Sequence, residues 1–183
     1  MGIDYSKGCV NFRDTGAFVN LIAQQELLPE NTILRGGKLD NLSSPEEIGN
    51  PQTIINLRRG AEKAFSGIVT YHFPISNAYE KYDTNNKEVR TWLNNIIKVF
   101  ENEQVVYPVF IHCTSGKDRT GVVIAALLWT LQIPEHVIIE EYLLSEGEVR
   151  RDWIIQTLNG IKNHQNYFER RDVERIRHNI LLR

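Results

Sequence analysis

Cysteine is scarce in this chain: Cys9 and Cys113 are all that 183 residues contain. Two thiols so far apart supply neither a disulfide framework nor the several soft ligands of a zinc cluster, and they fit a reducing compartment, the cytoplasm. Long apolar runs are lacking too. Nothing approaches the ~20 residues that cross a bilayer, and the first residues have no apolar core or cleavage-like site, so no secretory signal is expected. An excess of positive charge is also missing. With 21 Lys and Arg against 23 Asp and Glu, the net charge is -2, which gives no footing to a nucleic-acid partner. No internal repeat, low-complexity tract or linker interrupts the chain. It therefore reads as one domain over residues 1–183, a monomer, with an apolar fraction of 42% that suffices for a substantial core.

What the chain does have is one stretch of concentrated chemistry, His112-Cys113-Thr114-Ser115-Gly116-Lys117-Asp118-Arg119-Thr120-Gly121. The apolar run from Val105 to Ile111 enters it as a buried strand, and the run from Val122 to Leu131 leaves it as a helix. A tight loop around Gly116 can curl its N–H groups inward, and the following helix N-terminus adds partial positive charge. The natural guest is an anion. The same field favours a thiolate on Cys113. Arg119 offers a planar fork to two phosphoryl oxygens. Nucleophile, cradle (Thr114, Ser115, Gly116, Lys117) and clamp lie within seven residues.

Rival readings of this loop fail on spacing. A nucleotide P-loop needs a glycine five positions before Gly116, where Ile111 stands, and Ser or Thr where Asp118 stands. An ordinary buried cysteine at a strand end accounts for Cys113 alone, but not for Arg119 and Thr120 at these distances along the chain.

His112-Cys113, five residues, then Arg119-Thr120-Gly121 resembles the active-site loop of the cysteine-dependent protein-tyrosine phosphatase superfamily. The inner Gly116-Lys117-Asp118-Arg119 is similar to a branch of mostly microbial tyrosine and phosphoinositide phosphatases. Asn11-Phe12-Arg13-Asp14 and Asn56-Leu57-Arg58 with Glu62 agree with that branch; its Arg-Ser-Gly element reads Arg35-Gly36-Gly37 here. The resemblance spans roughly residues 9–145. It implies a phosphatase that works through a phosphocysteine on Cys113, without metal or other cofactor, on a phosphorylated protein or a phosphoinositide. Thr120 would donate its hydroxyl to the sulfur, and His112 would orient the loop. The general acid stays open between Asp83, on a polar loop from which many relatives deliver theirs, and Asp118, where some lipid phosphatases carry a functional aspartate. Asp118 is preferred because no Trp-Pro-Asp-like element marks the loop. The non-enzyme alternative is a catalytically silent phosphate-binding module.

The remaining elements are read from periodicity. Residues 18–28 are helix or hairpin, stopped by Pro29; Thr32–Leu34 is a short strand; Ser43 or Ser44 before Pro45-Glu46-Glu47 starts a helix. Thr53–Leu57 is an inner strand, followed by Arg58 and Glu62, which either form the pocket or pair with each other. Ile68–Ile75 is the next strand, with His72 packed and hydrogen-bonded. Residues 76–86 form a mobile loop over the pocket, and Asn85 caps the helix that carries Val89, Trp92, Leu93, Ile96, Ile97 and Phe100. Pro134 opens a helix with Val137, Ile138, Tyr142 and Leu143 inward. From Glu148 the chain is helical, with Trp153, Ile154, Leu158 and Ile161 on one side. Glu169–Arg183 is a solvated, ion-paired helix, with transient membrane-surface contact as the minority reading. Strands alternating with helices give an α/β fold with a central, mostly parallel sheet flanked by helices. Met1-Gly2-Ile3-Asp4-Tyr5-Ser6 fits the N-myristoylation pattern, for which a chance match or a cloning glycine is the plainer explanation. Delivery into a host cell stays open.

Overall fold

The computed structural model describes residues 5–60, 62–168 and 170–182; Gly2 of the myristoylation pattern, Glu169 and Arg183 lie outside them. Five short strands form one sheet in the order β1-β2-β5-β3-β4: β1 (Arg13–Asp14), β2 (Ile33–Gly36), β3 (Thr53–Asn56), β4 (Val69–His72) and β5 (Val109–His112). β2, β5, β3 and β4 run parallel, and only β1 pairs antiparallel. Six α-helices among the described residues complete the fold: α1 (Thr15–Ala23), α2 (Lys87–Ile97), α3 (Asp118–Thr130), α4 (Glu135–Leu143), α5 (Arg151–Lys162) and α6 (Val173–Leu181).

Alternation along the strands divides the core in two. Ile33, Ile55, Val109 and Ile111 face a large cluster that takes side chains from all six helices. Leu34, Ile54 and Phe110 face a smaller one, with Cys9, Phe12, Leu39, Leu42 and Ile48. The register explains this: Ile33 is opposite Val109, and Phe110 lies between Leu34 and Ile54. α3 is buried on nearly every face, with Val122, Val123, Ile124, Leu127 and Leu128 at most 1% exposed. At about 1.5–3 kcal/mol per buried side chain of this size, it is the element that anchors the rest.

Because β2, β5 and β3 are parallel and in register, their carboxyl ends, Gly36, His112 and Asn56, arrive side by side. Ligands gather beyond such an edge, and the His112–Gly121 loop is there.

Several boundaries differ from expectation. β5 starts at Val109, since Pro108 has no N–H to give to a ladder; Val106 is exposed. α1 ends at Ala23 because Gln24 takes a left-handed conformation (φ 54°). Ser44 and Pro45 start only a four-residue 3-10 turn. Asn86, rather than Asn85, caps α2, its side chain accepting from the N–H groups of Glu88 and Val89. β4 is an edge strand, and His72 is exposed there, its Nε2 bonded to the Arg58 carbonyl at 2.7 Å. The segment 76–86 is tied down by Tyr82 and by Thr84, whose hydroxyl donates to Thr157 O at 2.7 Å. α6 buries Ile176, Asn179 and Ile180 while Arg175 and Arg177 pair with Asp172 and Glu174 outside.

Candidate active site

The loop after β5 is held open from behind. Lys38 N–H donates to Thr114 O at 3.1 Å, Asn11 Nδ2 to Ser115 O at 2.8 Å, and Arg35 NH2 to Gly116 O at 3.0 Å. In a trans peptide each carbonyl points opposite to the next N–H. With three successive carbonyls drawn outward, the amides of Ser115, Gly116 and Lys117 face the concave side of the loop. Gly116 makes the turn at φ 67°, and a Cβ on it would lie 2.4 Å from the carbonyl carbon of Gly36. A side chain here would separate the loop from β2.

The anchors are themselves braced by a group that sequence reasoning missed. Glu141 on α4 is 1% exposed and takes Arg13 Nε at 2.8 Å on one carboxylate oxygen and Arg35 NH1 at 2.6 Å on the other. Burial pushes the Glu141 carboxyl up, but the two guanidinium groups outweigh it and hold it below its ordinary value. Burial and the Arg13 charge bring Arg35 down to about 10, so it stays cationic at neutral pH. Two cations against one carboxylate leave one surplus positive charge buried behind the loop, within electrostatic reach of Cys113. A signal existed: Glu141 falls four residues after Val137 and three after Ile138, on the buried stripe of its helix. A charge on such a stripe calls for buried partners.

The departure at Gly36 has a local reason. A Cβ there would lie 2.7 Å from Cys9 Sγ, so Cys9 occupies the space a serine would need. Burial drives the Cys9 thiol up to about 12, and it rests 3.6 Å from Gly37 O. It is a packing residue.

Cys113 lies at the base of the loop, 1% exposed. Arg119 spans its mouth, NH1 donating to Leu57 O at 2.9 Å and NH2 to Thr114 Oγ1 at 3.2 Å. Thr120 Oγ1 is buried and makes no hydrogen bond among the described residues, so the expected bond to the Cys113 sulfur is not formed here. His112 is fully buried and stacks on Phe110, ring centroids 5.3 Å apart. Its Nε2 lies 3.4 Å from Glu62 Oε2, and burial lowers it to about 4, a neutral ring. Arg58 is taken up by Asp40 (2.8 Å) and Glu62 (3.2 Å), the pairing alternative of the sequence reading.

Asp118, the first residue of α3, lines a cleft of about 470 Å³ with Arg119, Tyr82, Trp153, Lys81, Glu80, Asn77 and Gln156. Tyr82 OH donates to Asp118 Oδ1 at 2.7 Å, and Lys117 Nζ lies 3.8 Å from Oδ2. Asp83 is not among the residues lining that cleft; its charge acts on Tyr167 instead. Of the expected site residues, Asp118 and Arg119 line the cleft, Cys113 to Lys117 form the loop beside them, Arg58 is paired with Asp40 and Glu62, and Asp83 is not among the lining residues. Trp153, at the edge of the apolar side of α5, packs against the core and forms a half-buried wall of the cleft, its ring 5.4 Å from that of Tyr82.

A model of the tyrosine phosphatase family matches residues 5–182. The triple specificity protein phosphatase PtpB of Mycobacterium tuberculosis is 32% identical over 75 residues, 41% of this chain and 26% of that protein, so the match spans about a quarter of PtpB. Two solved structures share the fold. The core catalytic domain of the PP-IP phosphatase SIW14 from S. cerevisiae, in complex with citrate, has a TM-score of 0.57 at 18% identity, over 79% of this chain and 90% of that one. TpbA of P. aeruginosa has a TM-score of 0.50 at 15% identity, over 80% and 84%. No helix among the described residues is long and apolar enough to cross a membrane. With a match over nearly its whole length, the chain belongs to the tyrosine phosphatase family.

Proposed function

We propose that this protein hydrolyses phosphate monoesters through a phosphocysteine on Cys113. The observation that carries the reading is the set of three outward-held carbonyls, which turns three amides into the concave loop that has Cys113 at its base. Those amides and Arg119 hold the non-bridging oxygens, and fixed donors of this kind favour the transition state because they need no reorganisation. The Cys113 thiolate attacks phosphorus; the S–P bond forms as the P–O bond to the leaving group breaks. Asp118 gives its proton to the leaving oxygen. Water then attacks the phosphocysteine, Asp118 takes a proton from it, and the S–P bond breaks to return the thiolate and free phosphate. The unpartnered Thr120 hydroxyl suits the departing sulfur, since a buried hydroxyl left unmet costs about 1–3 kcal/mol. His112, neutral and packed on Phe110, keeps the strand end in place.

Asp118 is the acid because it lines the cleft beside Arg119, whereas Asp83 does not. The Tyr82–Trp153 wall next to them fits an aryl leaving group such as phosphotyrosine. Phosphoinositides are the second substrate class, favoured by Lys81 in the cleft and Lys117 beside Asp118. The names of PtpB and SIW14 agree with a broad choice of phosphorylated substrates. Arg58 is left out of this choice because its NH1 pairs with Asp40 and Glu62.

The test is release of inorganic phosphate, in chelator, from phosphotyrosine peptides and from a panel of phosphoinositides. Both classes are expected to turn over, and Lys117→Met lowers lipid turnover more than peptide turnover. Peptide turnover alone removes the lipid half of the proposal. No release from any substrate, with phosphate still bound, leaves a phosphate-binding module.

A further inference from the structure

Asp118 is a partly exposed carboxylate at the rim of a loop, with its side chain 41% exposed and a lysine 3.8 Å away as its one ionic neighbour among the described residues. A group so placed swings freely unless something holds it. Tyr82 reaches it from the segment between β4 and α2, at 2.7 Å from Oδ1. The Tyr82 oxygen is also 2.8 Å from the Tyr142 oxygen. We propose that Tyr82, backed by Tyr142, is a positioning residue that fixes which oxygen of Asp118 carries the catalytic proton. The proposal rests on the reading of Asp118 as the acid.

Counting hydrogens gives the chain its direction. A carboxylate only accepts, and a phenol has one hydrogen. Tyr82 therefore spends its hydrogen on Oδ1, and its oxygen can only accept from Tyr142. The sequence of donation is Tyr142 to Tyr82 to Asp118. When Asp118 is protonated, Oδ1 is already the accepting oxygen, so the proton rests on Oδ2. That is where a leaving oxygen must find it, without a search through carboxyl rotamers.

The groups around this relay are closely packed. Tyr82 is 6% exposed, with Tyr142 edge-on at 6.2 Å and Trp153 at 5.4 Å. Its backbone carbonyl accepts from Thr157 Oγ1 at 3.4 Å and its N–H meets Glu80 Oε1 at 3.2 Å. Tyr142 lies against Gly121, where an added Cβ would stand 2.8 Å from its ring. The glycine that closes the loop motif thus makes room for the far end of this chain. Tyr142 also follows Glu141, so one turn of α4 braces both the cradle and the acid.

Tyr82→Phe keeps the ring and removes only the hydroxyl. The measurement is kcat/KM, which reports bond cleavage rather than phosphocysteine hydrolysis, for phenyl phosphate and for the activated p-nitrophenyl phosphate. The expected result is about tenfold loss on phenyl phosphate and less than about twofold on the activated ester, the order that one hydrogen bond to a charged group carries. Tyr142→Phe shows a smaller loss with the same selectivity. Asp118→Asn is more severe and equally selective, and adding Tyr82→Phe to it changes nothing further. Equal loss on both esters, or an added loss in the double variant, overturns the role of Tyr82 while leaving Asp118 in place. An Asp118→Asn protein with no leaving-group selectivity overturns the reading of Asp118 and the role of Tyr82 with it.

Discussion

At the residue scale, His112 is where burial most plainly decides chemistry. The ring has no solvent, its face rests on Phe110, and its ordinary value of 6.5 is lowered to about 4. The folded protein keeps it neutral, whereas the unfolded chain takes up a proton once pH falls below about 6.5. Stability present above that point is lost as pH falls towards 4. Between pH 7 and pH 5 the loss from this one ring is about 2 kcal/mol. Burial pushes the Glu62 carboxyl up, an effect of opposite sign, and Glu62 is present in parent and variant alike. Urea unfolding at the two pH values should show the parent losing about 2 kcal/mol more than His112→Asn. Equal losses would remove burial as the cause. At this scale the sequence was informative where spacing along one loop groups the candidate residues, as for Cys113, Lys117, Asp118 and Arg119. It was silent on Tyr82, whose partners Asp118 and Tyr142 lie 36 and 60 residues away.

At the element scale, α4 holds the cradle through Glu141. The group is buried and carries two guanidinium partners, one of which reaches Gly116 O. Removing the charge leaves two buried cations unmet, a loss of about 3–5 kcal/mol. Glu141→Gln should therefore be strongly destabilised in denaturant titration and slow in turnover, because the Gly116 carbonyl loses its fixed donor. Glu135→Gln on the same helix removes only the exposed pair with Lys162, an effect of at most about 1 kcal/mol. Similar behaviour of the two variants would contradict the bracing role. The helices themselves were legible, because α2 and α5 repeat their apolar residues at helical spacing. Their ends were less so. Asn85 and Asn86 are both good caps by type, and only the backbone path into α2 selects Asn86. Trp153 fits an apolar stripe by type, yet its place at the stripe's edge puts it in the cleft.

At the scale of the whole molecule, the strand order places β5 in the centre, so its loop is braced from both sides. β2 supplies Arg35 and, with Gly36 and the following Gly37, the close approach of Gly116, and Leu57, just after β3, supplies its carbonyl to Arg119. The parallel sheet followed from the alternation of strands and helices. Its unequal faces did not: Ile54 and Ile55 are both apolar, so a four-residue strand cannot announce which side meets helices and which meets the thinner layer of Cys9, Phe12 and Ile48. In the proposed function this arrangement serves one sulfur, Cys113, at the base of the loop. The most direct test is to mix the protein with p-nitrophenyl phosphate, quench in acid within a turnover, and weigh the peptides. The account predicts one added phosphoryl group on the peptide that holds Cys113, with neither label nor turnover in Cys113→Ser. A label on any other residue, or turnover that survives Cys113→Ser, would contradict it.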